Sequence, residues 1–245
     1  MRHSDDTPPS SLRGRLCDVF FRALIDEQAD QLLLRLGNKA QIDEPLFGTA
    51  AGLEALRKRL IEIGRWLGEH SARYEHERTV RGVDRDVAEG VLEVRAGDIP
   101  VSLPAAVVMG RGRNREVSLR IYMAPYPAER APKGPDAPPS VELVPPADVS
   151  ELLADVSELL ADTAFGSATQ LGEHFEEKAV LRDTRGVEHD RATLLKTLGD
   201  MRLDARGFAD DGRCCAVEIA GAGLGRLMVF DRSDSGLFRG VRIYG

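Results

Sequence analysis

Acid–base chemistry needs a carboxylate, an imidazole, a phenol or a guanidinium held near one another, and the first half of this sequence supplies all four. Glu44 closes a short strand-like stretch, Ala40–Glu44. Tyr74, His76 and Arg78 follow at spacings of two, which puts them on one face of a regular strand. Arg120 and Tyr122 lie opposite the aliphatic set Val117, Leu119, Ile121 and Met123. Such a set can move a proton and stabilise developing charge with no cofactor. The second half offers Asp183, Glu218 and Tyr244, with Arg242 two residues before the tyrosine. Either face of each last strand can point inward, and an arginine–carboxylate pair with a neighbouring element is the other role open to Arg120 and Arg242. Glu44 likewise has a plain alternative, capping the turn after its strand or meeting an arginine.

Other chemistries lack their residues. No Cys-x-x-Cys pair and no His/Cys set has zinc-ligand spacing, so no metal site is expected. Gly221-Ala222-Gly223-Leu224-Gly225 sits between two strand patterns and reads as a hairpin loop rather than a nucleotide loop; no cofactor is expected. No Gly-x-Ser-x-Gly elbow occurs. The three cysteines, Cys17, Cys214 and Cys215, are odd in number, which argues against a disulfide framework and for a reducing compartment. Net charge is −7 and the basic residues are dispersed, so nucleic acid is not an expected partner. No apolar run approaches the roughly 20 residues of a membrane span, and the polar start MRHSDDTPPSS has no apolar core. A cytoplasmic protein is expected.

The elements that must hold these residues repeat. Ile42–Leu60 echoes Leu181–Leu198: Ile42 pairs with Leu181, Glu44 with Asp183, Gly48 with Gly186, Leu56 with Leu194 and Leu60 with Leu198. Val107, Leu119, Arg120, Ile121 and Tyr122 match Val229, Val241, Arg242, Ile243 and Tyr244 at constant offset. An echo over so long a separation means two related domains rather than a solenoid. The expected division is a disordered tail at 1–11, a first domain at 12–126, a proline-rich linker at 127–146 and a shorter second domain at 147–245. In each, helical turns lead to a short strand, then to an amphipathic helix, then to an antiparallel meander. Leu53, Leu56, Leu60, Ile63 and Leu67 make the clearest helical stripe. Pro104 marks an edge position or a bulge within its strand. Two VSELLAD heptads, Val149–Asp155 and Val156–Asp162, extend the opening helix of the second domain; two are too few for a coiled coil.

This order of elements resembles the nuclear transport factor two-like cone. The stretch Asp43-Glu44-Pro45-Leu46-Phe47-Gly48, the helix from Gly52 and the closing Arg-Ile-Tyr strands are similar to its SnoaL-like branch. The resemblance implies an α+β fold: two tandem cone-shaped domains, each a curved, mostly antiparallel sheet wrapped around helices, packed as an internal pseudo-dimer, with a homodimer left open. It implies an apolar pocket and a hydrophobic small molecule as partner. In the tandem epoxide hydrolases of polyether biosynthesis an acid sits at the end of the short strand, where Glu44 and Asp183 stand here. The first copy has Glu in place of Asp, and the second has Thr184 in place of Pro. The branch also includes polyketide cyclases, steroid isomerases, dehydratases and members that only bind. Two classes therefore follow: an acid–base enzyme with Glu44 as base and Tyr74, His76 or Arg120 as donors, or a binding protein using the same cavity or sheet face. The shorter second domain is expected to be mainly structural.

Overall fold

The computed structural model describes residues 14–112, 116–124, 153–165, 168–201, 203–220 and 226–245. The expected tail, the linker, the first heptad up to residue 152 and the glycine-rich loop at 221–225 lie outside the described residues.

The chain builds two six-stranded α+β units in tandem. The first contains α1 (Leu16–Ile25), α2 (Ala29–Leu36), β1 (Gln41–Glu44), β2 (Gly48–Ala51), α3 (Leu53–Glu69), β3 (Arg73–Arg81), β4 (Arg85–Ala96), β5 (Ile99–Arg111) and β6 (Val117–Met123). Its sheet runs β2-β1-β6-β5-β4-β3, antiparallel except where β1 lies parallel to β6. The second contains α4 (Ala154–Phe165), α5 (Ala168–Glu173), β7 (Phe175–Arg182), β8 (Glu188–His189), α6 (Arg191–Gly199), β9 (Asp204–Asp210), β10 (Cys214–Ala220), β11 (Arg226–Arg232) and β12 (Phe238–Tyr244). Its order, β8-β7-β12-β11-β10-β9, repeats the first, again with one parallel pair, β7 on β12. The registers carry the internal repeat into three dimensions, with one correction: Val229 lies opposite Arg242 as Val108, not Val107, lies opposite Arg120. Ile42 lies beside Leu119 and Leu181 beside Val241, so Glu44 and Asp183 hold equivalent places.

Period-two patterning gives each sheet two faces. In the first, Ala88, Leu92, Leu103, Ala105, Val107, Leu119 and Ile121 face the helices and close one core with Phe20, Leu24, Leu56 and Leu60. In the second, Cys215, Val217, Met228, Phe230 and Ile243 do the same with Val156, Leu159 and Leu194. The opposite faces meet each other. Val80, Val87, Ala106, Val108 and Tyr122 pack on Ala209, Cys214, Ala216, Leu227, Val229 and Tyr244 as a third apolar cluster between the sheets.

Local chemistry sets the joins. Gly52 begins α3 at φ +83°, a conformation that suits glycine. Asp190 caps α6 by accepting from the Thr193 N–H at 2.9 Å. Pro104 lies inside the sheet, opposite Val91, with no bulge there. Its carbonyl accepts from Ala124 just past the end of β6, so its missing N–H falls where the neighbouring strand has stopped, a local edge. The hairpin strand β2 has no counterpart in the sequence reading, because Gly-Thr-Ala-Ala lacks strand propensity. Among the described residues no helix is long and apolar enough to cross a membrane.

Candidate functional site

Glu44 ends β1 and is 2% exposed. Its two carboxylate oxygens accept from the Leu46 N–H at 2.7 Å and the Phe47 N–H at 2.6 Å, and Arg59 donates to it at 3.1 Å. Burial raises its pKa, and the two backbone donors and Arg59 pull against that rise. Asp183 repeats the device at the end of β7. It accepts from the N–H groups of Arg185 and Val187 and from His189 Nε2 at 3.0 Å. Burial opposes ionisation, but His189 and the backbone donors outweigh it and the Asp183 pKa is lowered. In both units the acid at the strand end folds back to hold its own turn. The expectation that Glu44 stands ready as a base meets a carboxylate whose two oxygens are already engaged.

A second group of polar side chains lies on the helix side of β3. The three residues Tyr74, His76 and Arg78 do not share a face, because β3 carries a bulge between His76 and Arg78. One extra residue turns the strand over. Tyr74 and His76 look toward α1, and Arg78 looks toward the second unit. The Tyr74 ring packs on Phe21 with centroids 5.0 Å apart and lies across Gly90, where a Cβ would meet its hydroxyl at 2.7 Å. Gly90 is the cross-strand partner of His76, so the hydroxyl lies beside the histidine's place in the sheet. That hydroxyl is buried and has no hydrogen-bond partner among the described residues. Burial, with Cys17 and Asp18 next, pushes the phenol well above its ordinary value, so it keeps its proton.

His76 is tied to α1. Thr79 Oγ1 donates to Asp18 Oδ1 at 2.6 Å, and His76 Nε2 lies 2.9 Å from Thr79 Oγ1 and 3.8 Å from Asp18 Oδ1. With the threonine proton directed to the carboxylate, the threonine oxygen accepts from Nε2. That assigns the histidine proton to Nε2 and leaves the Nδ1 lone pair as a base. Asp18 lies one turn before Phe21 on α1, which brings it to the same side as Tyr74. Asp18 and Thr79 complete this group and were not among the residues singled out from sequence.

The remaining expected site residues lie elsewhere. Arg120, Tyr122, Glu218 and Tyr244 do not line the interior of either unit; all four are buried between the two sheets. Arg120 donates to Glu218 through Nε at 2.5 Å and Nη2 at 2.7 Å, and the Tyr122 hydroxyl donates to the same carboxylate at 2.9 Å. The reciprocal set is Arg242 and Tyr244 on Glu89, at 2.7 Å and 2.8 Å. The cause is strand parity. Leu119 and Ile121 must face the helices, so Arg120 and Tyr122 face the other way, as do Arg242 and Tyr244 in β12. Each arginine thus clasps the carboxylate of the other unit by a bidentate contact. Arg85 adds an ion pair to Glu218 at 3.2 Å, and Arg78 donates to Asp231 at 2.5 Å. Asp231 also accepts from Arg242 and from the Cys214 thiol. Burial raises the Cys214 thiol to about 11, with Asp231 adding to the rise.

No protein-family profile and no curated protein matches the chain. Solved structures do. An epoxide hydrolase/cyclase-like enzyme, SalBIII, described for pyran ring formation in the polyether salinomycin, is 16% identical over 42% of this chain and 84% of its own, with a TM-score of 0.35. A polyketide cyclase from Sinorhizobium meliloti, described as putative, is 17% identical over 42% and 88%, at 0.34. A nuclear transport factor two-like protein of unknown function from Burkholderia pseudomallei K96243 is 18% identical over 42% and 82%, at 0.35. The order of helices and strands in each unit is the one the resemblance implies. Both units are α+β, each a six-stranded mixed sheet packed on helices in the same order.

The missed residues had weak sequence signals. Asp18 reads as an ordinary polar position on an amphipathic helix, and nothing local links it to a histidine 58 positions later. Glu89, by contrast, left a trace: a lone acid in an otherwise apolar stretch of β4, in the manner of Glu218 in β10. Among the described residues no group of His, Cys, Asp and Glu is arranged to hold a metal ion.

Proposed function

We propose that the first unit is a cofactor-free acid–base catalyst for a small, apolar, oxygen-bearing molecule of secondary metabolism, working through Tyr74 and His76. The observation that carries this reading is the buried Tyr74 hydroxyl without a partner among the described residues. An unpaired buried donor costs stability, and a substrate oxygen accepting from it would recover that cost. Tyr74 is then the proton donor to that oxygen, since its raised pKa keeps it protonated. His76 Nδ1 takes the proton that leaves, while Thr79 and Asp18 fix the ring's tautomer and steady the imidazolium. Ring closure, isomerisation, dehydration and epoxide opening all need that pair of transfers. Glu44 is assigned instead to holding the turn after β1.

The same hydroxyl supports a second reading, a protein that binds an oxygenated apolar ligand without converting it. A turnover screen on apolar epoxides and β-hydroxy ketones separates the two, run with the natural chain and with Tyr74→Phe and His76→Gln. The catalytic reading expects turnover that drops by about 10²–10⁴-fold in each variant. Binding that weakens in Tyr74→Phe, with no turnover by any form, supports the second. Turnover untouched by both substitutions rules the assignment out.

A further inference from the structure

The two sheet faces that meet are related by the internal repeat, so each position in the joint has an equivalent across it. Arg78 lies beside Glu89, and Glu89 leads through Ala106 to Tyr122. Gly207 lies beside Glu218, and Glu218 leads through Leu227 to Tyr244. Gly207 is therefore the counterpart of Arg78. By the same reckoning Arg85, beside Gly110 and Ser118, is the counterpart of Cys214, beside Asp231 and Gly240.

The contacts follow this symmetry in position but not in size. In one corner Arg78 reaches across to Asp231 and to the Cys214 sulfur at 3.4 Å, so a long side chain meets the short residue in Arg85's equivalent place. In the other corner Arg85 lies over Gly207, where an added Cβ would overlap its guanidinium. Beside the clasping arginine, Arg242 in one corner and Arg120 in the other, each corner takes one further guanidinium. Both are supplied by the first unit, and both small residues by the second.

We infer that this arrangement is a key: Arg78 and Arg85 make the first unit's sheet face fit the second unit's face and reject a copy of itself. Two first-unit faces would set Arg78 against Arg85 in both corners, with Gly110 where Asp231 now receives Arg78. The buried Arg85 would then face the part-exposed Arg78, like charge against like, with one acid fewer, a costly placement for the buried partner. Two second-unit faces would set Gly207 against Cys214 twice and leave both corners short of atoms. The Arg120–Glu218 and Arg242–Glu89 clasps cannot make this distinction, because each unit carries both the arginine and the carboxylate. They attract any pairing, and the corner residues choose among pairings, as unfavourable contacts commonly do in specific interfaces.

Two measurements test this in the full chain. Gly207→Arg puts a third guanidinium into the corner where Arg85 and Arg120 already share Glu218; the thermal midpoint should fall by roughly 10 °C, or melting should split in two as the units part. Adding Arg85→Ala to Gly207→Arg should recover at least half of that loss, because the corner again holds one arginine beside Arg120. A double variant no more stable than Gly207→Arg alone would overturn the claim that the corner admits one arginine beside Arg120. For selectivity, a protease site inserted between residues 124 and 153 is cut after folding, and native mass spectrometry reads how the units pair. The natural chain should give only first-with-second pairs, and Arg78→Gly/Arg85→Ala should add first-with-first pairs. A statistical mixture from the natural chain, complete separation into single units, or no change in the variant would each refute the key.

Discussion

Removing one oxygen atom should make this protein more stable. In Tyr74→Phe the ring keeps its packing on Phe21 and its place over Gly90, and loses only a hydroxyl that has no partner among the described residues. A buried polar group left unsatisfied costs about 1–3 kcal/mol, so its deletion should return a similar amount. For a chain of this size each kcal/mol moves the midpoint by about 2–4 °C, which puts the expected rise between roughly 2 and 12 °C. Calorimetry gives the midpoint. Urea titration followed by the fluorescence of Trp66, the single tryptophan and part of α3 in the first unit, gives the free energy for the unit that carries the change. Stability gained together with activity lost is the pattern of a group kept for function at a structural cost. A midpoint that falls by several degrees would mean that the hydroxyl has a partner in the folded state, and the case for a substrate oxygen would go with it.

Other expectations are equally direct. Arg242→Met leaves Glu89 and Asp231 buried without their shared guanidinium, and denaturant titration should register a loss of about 3–5 kcal/mol. Cys17, Cys214 and Cys215 are all buried, and burial raises their thiols, to about 12 for Cys17 and about 11 for Cys214. Native protein at pH 8 should therefore leave a disulfide reagent almost unreacted, while denatured protein releases three equivalents; a fast native reaction would contradict the placement. Asp183 and Asp231 have lowered pKa values in the fold, so their contribution is present above the ordinary aspartate value and is lost as pH falls below it. Glu44, raised in the fold, acts in the opposite sense: its contribution weakens as pH rises through and above the ordinary glutamate range. Stability followed from pH 6 to pH 2 in the natural chain and in Asp183→Asn should differ most at the upper end and converge at the lower.

Much of the architecture was legible because it rests on short-range patterning. The α3 stripe, the alternation in β6 and β12, and the echo of Ile42–Leu60 in Leu181–Leu198 each mark an element by its own residues. What was not legible depends on contacts between distant segments. Parity shows that Arg120 and Leu119 face opposite ways, but not which face meets helices and which meets a second sheet. The β3 bulge is set by how the strand closes on β4, so the apparent shared face of His76 and Arg78 dissolved once the register was known. Glu44 was found through the end of its strand, yet its engagement by the backbone of Leu46 and Phe47 depends on turn geometry that spacing alone does not specify. Asp18 joined His76 only through tertiary packing.

One consequence concerns the order of synthesis. β12 lies in the interior of the second sheet, and it carries the arginine and tyrosine that clasp Glu89, 153 and 155 positions after that glutamate. At about 5–20 residues per second, a nascent first unit, complete at the end of β6, would wait about 6–24 s for those partners to be made. During that wait its arginine-lined, half-greasy flank stands open on the ribosome. That interval, rather than the finished molecule, is when this chain most needs protection from its neighbours.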